Sequence, residues 1–229
     1  MIKLRRSEDR GPANHGWLQS MHTFSFASYY DPEHMGVSAL RVINDDKVAA
    51  GNGFPMHSHQ DMEIISYVKK GMIEHKDSMG NVERLPAGEF QLMTAGSGIT
   101  HSEYNPSTDN SLEFLQIWIQ PNVYGIEPKY QQKKFNTKKG LQLIASPDAA
   151  DGSLMIHQDA CLYQLMLAVD KTVTHELKKG RSVYIHIVKG SLSIGDETLR
   201  EGDGATIVAL DQIIFSANDE VEALVFDLP

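Results

Sequence analysis

Two histidines one residue apart, His57 and His59, stand at the entrance to an apolar run in the stretch FPMHSHQDMEIISY, residues 54–67. Imidazole is the commonest side-chain ligand for transition metals and the group most ready to exchange protons near neutral pH. The β-branched and aromatic residues that follow, with no helical 3,4 spacing, predict a strand. Alternate residues of a strand share a face, so His57, His59, Glu63, Ile65 and Tyr67 are expected on one side and Ser58, Met62, Ile64 and Ser66 on the other. Taken alone, one HxH pair is a weak motif. A second dyad, His101 and Glu103, repeats the i, i+2 spacing in PAGEFQLMTAGSGITHSEYN, residues 86–105. Gly96 and Gly98, just before it, permit a tight turn or a close backbone approach that would aim this dyad at the first. On its own the second pair would read as a hydrogen-bonded strand end; with the first it reads as a metal site. Three imidazoles and a carboxylate suit Fe, Cu, Ni, Co, Mn or Zn, and the absence of cysteine from the set argues against a thiolate-rich structural zinc site. Glu63 and His75 also fall on the inferred inward faces, as orienting partners or satisfied core residues in preference to ligands.

These dyads need strands to hold them, and the chain supplies many. Short apolar runs such as SALRVIND, EIISYVKKG, EFQLMTAGSG, LEFLQIWIQP, YQLMLAVD, SVYIHIVKG and VEALVFDLP recur with turn residues between them. That pattern predicts an all-β fold of the antiparallel sandwich or barrel type, with few short helices. Residues 121–160, interrupted by Pro121, Gly125, Pro128, Gly140 and Pro147, are read as the passage between two strand series. YVKKGMIEHKDSMGN and HIVKGSLSIGDETLREGD share one order of strand, glycine turn, strand and polar turn, which predicts two barrels of one design.

The composition, 41% hydrophobic and 22% charged over 229 residues, allows a sizeable core. A formal charge of -9 with scattered Lys and Arg argues against a nucleic-acid surface. The first twenty residues hold no apolar stretch of signal-peptide length, and no segment is long enough to span a membrane, so no membrane association is expected. The single cysteine, Cys161, excludes an internal disulfide and lacks a catalytic partner nearby; a buried structural thiol in the cytoplasm is the expectation.

Two segments carry a family resemblance. GNGFPMHSHQDMEIISYVKKG (51–71) resembles the first cupin motif, one residue long before its last glycine, and GITHSEYN (98–105) resembles the core of the second, with Gly96 where a proline is expected. HGWLQSMHTFSFASYYDP (15–32), RVINDD (41–46), HKDSMGN (75–81) and SPDAADGS (146–153) extend the likeness. Together they resemble the pirin family, and most closely its bacterial members with quercetin 2,3-dioxygenase activity. The resemblance implies two cupin (jelly-roll) domains, an N-terminal metal-binding one over 1–130 and a C-terminal one without metal ligands over 131–229. It implies a metal held by His57, His59, His101 and Glu103, which leaves Glu63 outside the ligand set. Fe(II) is the first expectation for that metal, with Cu, Ni, Co, Mn and Zn as alternatives.

The implied activity is cleavage of a flavonol such as quercetin with O2, releasing carbon monoxide and a depside. Glu103 is assigned as the base with Glu63 in reserve. Phe54, Met56 and Tyr67 are candidates to line the pocket. The expected partners are the phenolic substrate and O2, with the chain a monomer. Two rivals stand beside this reading: a non-catalytic regulator that senses iron redox state and binds a protein partner, and a cupin enzyme for another phenolic. In the C-terminal half, aligning Gly190 with Gly71 puts Glu176 and Lys178 at the first pair. Aligning Gly202 with Gly88 puts Phe215 and Ala217 at the second. No ligand set results, and His175 and His186 are read as surface or core residues.

Overall fold

Alternating burial and glycine-rich turns produce strands throughout the computed structural model, which describes residues 1–136 and 138–229. The all-β expectation is met: the only helical elements among the described residues are two 3-10 turns, Ser7–Asp9 and Ala150–Gly152. No helix is long and apolar enough to cross a membrane.

The chain divides into two compact units. One comprises Gly11–Phe135 with Ile156–Gln158, and the other Met1–Arg10, Asn136–Met155 and Asp159–Pro229. They interleave in sequence, whereas the sequence reading drew one cut after residue 130. The reason for the exchange at the start is strand pairing: Ile2–Arg5 runs antiparallel to Gly204–Val208.

In the first unit a seven-stranded sheet runs, in spatial order, Lys129–Lys134, Glu89–Thr94, Glu63–Lys70, Leu112–Ile119, Leu40–Val48, Leu18–His22 and Gly11–Asn14. A four-stranded sheet runs Gly53–His59, Ile99–Tyr104, Met72–Asp77 and Val82–Pro86. The central strand Glu63–Lys70 is buried on both faces from Glu63 to Val68, which explains its nearly continuous apolar run. Leu18, Val48, Val68, Ile73, Leu85, Leu112 and Phe114 form one apolar cluster of this unit, and Ile64, Met93, Ala95 and Ile99 another.

Two local features depart from the sequence reading. FPMHSHQDMEIISY is two strands, because Asp61 takes a left-handed backbone (φ 48°) between Gly53–His59 and Glu63–Lys70. Residues 121–160 are also not irregular throughout, since Lys129–Lys134 and Gly140–Ser146 are strands. KYQQKK lies at a sheet edge with its residues half-buried or exposed, so it lacks apolar alternation, and its lysines guard the edge.

The second unit has the same plan. Its seven strands run Ile2–Arg5, Gly204–Val208, Ser182–Lys189, Val221–Leu228, Cys161–Leu167, Gly140–Ser146 and Leu154–Met155, and its four run Thr172–Glu176, Gln212–Ala217, Ser191–Ile194 and Glu197–Arg200. Phe215 and Ala217 are buried in the apolar core of this unit. His186 is buried within its strand, and His175 is buried with Nε2 3.3 Å from Asp227 Oδ2. Cys161 is partly buried, and burial raises its thiol pKa.

Candidate metal centre

The strands Gly53–His59 and Ile99–Tyr104 are antiparallel neighbours, with His101 opposite His57. Their register slips before Glu103, which pairs with Phe54, so three residues of one strand span the length of two on the other. This bulge, at Pro55 and Met56, puts Phe54 on the same face as His57 and His59, while Met56, next to His57, stays on the opposite face. Phe54 lines the cavity described below, and Met56 is 58% exposed. The tight pairing next to Glu103 also demands glycine at position 53, because a Cβ there would meet Glu103 O at 2.2 Å.

His57, His59 and His101 converge. One ring nitrogen from each can be chosen so that all three lie within 4.8 Å of one another. The His57 and His101 ring centroids are 4.4 Å apart, and His59 sits 4.8 Å and 5.0 Å from them. Burial first, and then the neighbouring imidazoles, push His59 down to about 4 and His101 down to about 3. Both rings are therefore neutral at pH 7, the form that ligates.

The hydrogen bonds around the rings select their tautomers. Nδ1 of His57 donates to Pro55 O at 2.8 Å, which frees its Nε2 as a lone-pair donor. Behind His101 runs a buried chain. His75 Nε2 donates to Asp77 Oδ2 at 3.0 Å, and the Nδ1 atoms of His101 and His75 are 3.5 Å apart. Burial works to raise the Asp77 carboxyl, but hydrogen bonds from Asn81 and His75 outweigh it and hold its pKa below the usual range. An ionised Asp77 accepts only, so His75 carries its proton on Nε2 and accepts at Nδ1. Gln91 Nε2 lies 3.5 Å from the same nitrogen, and a His101 that donates to it from Nδ1 leaves its own Nε2 bare. That atom is buried with no partner among the described residues. Three converging imidazoles, one with an unfilled lone pair in the interior, fit a bound cation.

Glu103 is buried near this cluster but its oxygens are not among the mutually close ligand atoms. Gln116 Nε2 donates to its Oε2 at 2.8 Å, and Ser66 Oγ lies 3.2 Å from both Glu103 Oε1 and Gln116 Oε1. Ser66, not Glu63, is thus the residue of its strand that faces the site. The turn at Asp61 resets the alternation, and three positions along a strand separate Glu63 from Ser66 onto opposite faces. Glu63 accepts from Thr94 Oγ1 at 2.9 Å, and its Oε1 is 3.3 Å from His157 Nδ1, too poorly aligned for a hydrogen bond. Burial pushes its carboxyl up to about 7. Tyr67 shares that outer face and stacks on Phe90 at 4.3 Å, away from the pocket expected of it. His75 holds the orienting position expected from sequence.

A cavity of about 450 Å³ opens beside the histidines, within the roughly 300–1,000 Å³ range of small-molecule sites. His57, His59, Glu103 and Gln116 share its wall with the apolar side chains Trp17, Leu18, Phe26, Phe54 and Trp118. Trp118 meets the His59 ring edge-on at 5.1 Å, and Phe26 meets Trp118 at 5.4 Å. Ser20, His22, Asn44 and Asp46 line it too, and sequence reading gave none of them a role. A signal was present: QSMH and RVINDD place polar residues at alternate positions in register with the buried Leu18, Leu40 and Val48.

Two β units of one plan, with three histidines gathered in the first, define a two-domain cupin. Residues 3–119 match the family model described as Pirin, and residues 143–228 match the one described as Quercetinase C-terminal cupin domain. The chain is 53% identical over 229 residues to the quercetin 2,3-dioxygenase of Escherichia coli K12, covering 100% of this chain and 99% of that protein. It is similar to the crystal structure of YhhW from Escherichia coli, with TM-score 0.99, 53% identity and coverage of 100% of this chain and 98% of the other. It is likewise similar to the structure of the bacterial pirin YhhW in complex with nickel(II), at TM-score 0.98, 53% identity and coverage of 100% and 99%. The chain belongs to the pirin family.

Proposed function

We propose that this protein is a metal-dependent dioxygenase that cleaves a flavonol such as quercetin with O2, yielding carbon monoxide and a depside. The observation that carries the reading is the convergence of His57, His59 and His101 on a largely apolar cavity of small-molecule size. The dioxygenase name and the nickel(II) complex of relatives at 53% identity support it.

In this reading the three histidines hold one divalent metal, Fe(II) first among the candidates. A divalent ion there acidifies a hydroxyl that reaches it and supplies the redox partner for O2. Glu103 is the proton acceptor. Gln116 and Ser66 fix its carboxylate at the wall, and each oxygen keeps a further lone pair for an incoming hydroxyl or, as fourth ligand, for the ion. Trp118, Phe26 and Phe54 flank the flat rings of the substrate and keep water from the reacting carbons. One O2 enters, both of its atoms end in the depside, and one ring carbon leaves as carbon monoxide, so the atoms balance.

Anaerobic loading with Fe(II), Cu(II), Ni(II), Co(II) and Mn(II) in turn, followed by quercetin in air with carbon monoxide detection, tests the reading. Metal-dependent carbon monoxide release that His57→Ala abolishes supports it. Full metal loading without quercetin loss would overturn it.

A further inference from the structure

Five polar side chains in the cavity wall have no part in the reaction as derived above: His15, and on two neighbouring strands Ser20, His22, Asn44 and Asp46. The last four form cross-strand pairs, Ser20 opposite Asp46 and His22 opposite Asn44. The second pair satisfies itself, with His22 Nδ1 2.8 Å from Asn44 Oδ1 and Ser20 Oγ 3.3 Å from the same nitrogen. Asp46 is different. It is 4% exposed, and its Oδ1 has no hydrogen-bond partner among the described residues.

Leaving a buried carboxylate oxygen unfilled is costly, and Asp46 stands in the cavity wall, where an occupant can meet it, as well as in the wall of a second pocket with Ser20, Asp45 and Lys47. Phe114 flanks Asp46 in register on the next strand and offers no hydrogen bond. Burial pushes the Asp46 carboxyl up to about 7, with Asp45 and Glu103 adding to the rise and Ser20 and Lys69 opposing it. The group can therefore meet a ligand as acceptor or as donor near neutral pH. Trp17 and Phe54, packed edge to face at 5.2 Å in the same wall, offer apolar surface for an aromatic ring.

We propose that Asp46 is a specificity-determining residue that hydrogen-bonds a second phenolic hydroxyl of the substrate, one other than the hydroxyl at the metal. The inference rests on the dioxygenase reading and narrows its substrate class to polyhydroxylated aromatics. A site built to bond a hydroxyl discriminates strongly against the analogue that lacks it, because its own buried polar atom is then left bare.

The two tryptophans of the chain, Trp17 and Trp118, both line the cavity, so their fluorescence reports occupancy without turnover. The test titrates metal-loaded protein, kept anaerobic, with quercetin and with 3-hydroxyflavone, which lacks every hydroxyl but one. It then measures kcat/KM for both in air. Wild type is expected to prefer quercetin, and Asp46→Ala to lower the quercetin to 3-hydroxyflavone ratio at least tenfold in affinity and in kcat/KM. Asp46→Asn keeps the volume and one acceptor, guards against a folding artefact, and is expected to restore part of the ratio. A ratio unchanged in both variants would overturn the role of Asp46 while leaving the dioxygenase reading intact. Discrimination in binding with no turnover of either flavonol would support Asp46 and overturn the dioxygenase reading, and no fluorescence change in wild type would overturn both.

Discussion

His75 stands directly behind His101, with the two Nδ1 atoms 3.5 Å apart and the far nitrogen of His75 bonded to Asp77 at 3.0 Å. Metal-bound histidines are usually oriented by a carboxylate or a carbonyl. Here a second imidazole is inserted between the carboxylate and the candidate ligand. Asp77 places a proton on His75 Nε2, His75 offers its Nδ1 to His101, and His101 Nε2 is left buried and without a partner among the described residues. Asp77 is held in turn by Asn81 Nδ2 at 2.8 Å and by the backbone of Met79 and Asn81.

Breaking this chain is expected to weaken metal binding without removing a ligand. Asp77→Asn and His75→Gln should each lower affinity by roughly 10–100-fold, the usual effect of such outer partners. Competition with a chromophoric chelator measures it, alongside circular dichroism to confirm the fold. An affinity within twofold of wild type would show that the chain does not orient His101.

Glu103→Gln separates proton transfer from metal retention. Gln116 can turn its amide to meet the new side chain, so the packing survives. Turnover should fall by about 10²–10⁴, the range of general-base contributions, while much of the metal stays bound. Single-turnover quercetin kinetics with metal analysis check it; an unchanged rate would remove Glu103 from the role of base.

Glu63 should make the apo-protein lose stability as the pH rises. Its folded pKa is about 7 against an ordinary 4.5, so between those values the folded state binds more protons than the unfolded state. The stability it lends is complete below about 4.5 and lost progressively toward 7, amounting to a few kcal/mol at most, on the order of 1.4 per pKa unit. Urea midpoints at pH 5 and pH 8 should drop for wild type by more than for Glu63→Gln. Equal pH dependence in the two proteins would contradict this.

Gly53→Ala should damage the site through the backbone. The added methyl meets a carbonyl oxygen that cannot swing aside, at 2.2 Å from the ideal Cβ position, so the two histidine-bearing strands must part. Overpacking of this kind costs typically 1–3 kcal/mol. Thermal melting and metal titration together should show lower stability and weaker binding; retention of both would mean that the bulge absorbs the methyl.

The convergence of the three histidines was legible because HSH and HSE keep their spacing on two strands. The all-β architecture was legible from the recurrence of apolar runs and turns. Glu63 and Tyr67 were misread, and the face of Phe54 could not be counted, for two local reasons. One left-handed residue, Asp61, ends the first strand and restarts the count, and a bulge at Pro55 shifts it within the strand. Neither changes the apolar pattern from which period is read. The polar row from His22 through Asn44, Gln116 and Ser66 to Gln91 escaped because its members come from five strands, and only the register of the sheet aligns them. Lys129–Lys134 escaped because an edge strand needs no apolar face.

The central claim is that the three-histidine cavity carries out a dioxygenation, and the fate of the oxygen atoms tests it most directly. Metal-loaded protein is supplied with quercetin under ¹⁸O2, and the depside and the released gas are examined by mass spectrometry. The account predicts two heavy oxygens in each depside and unlabelled carbon monoxide, with both products absent from His101→Ala. Loss of quercetin with no heavy oxygen in a depside, or the same product from His101→Ala, would contradict it.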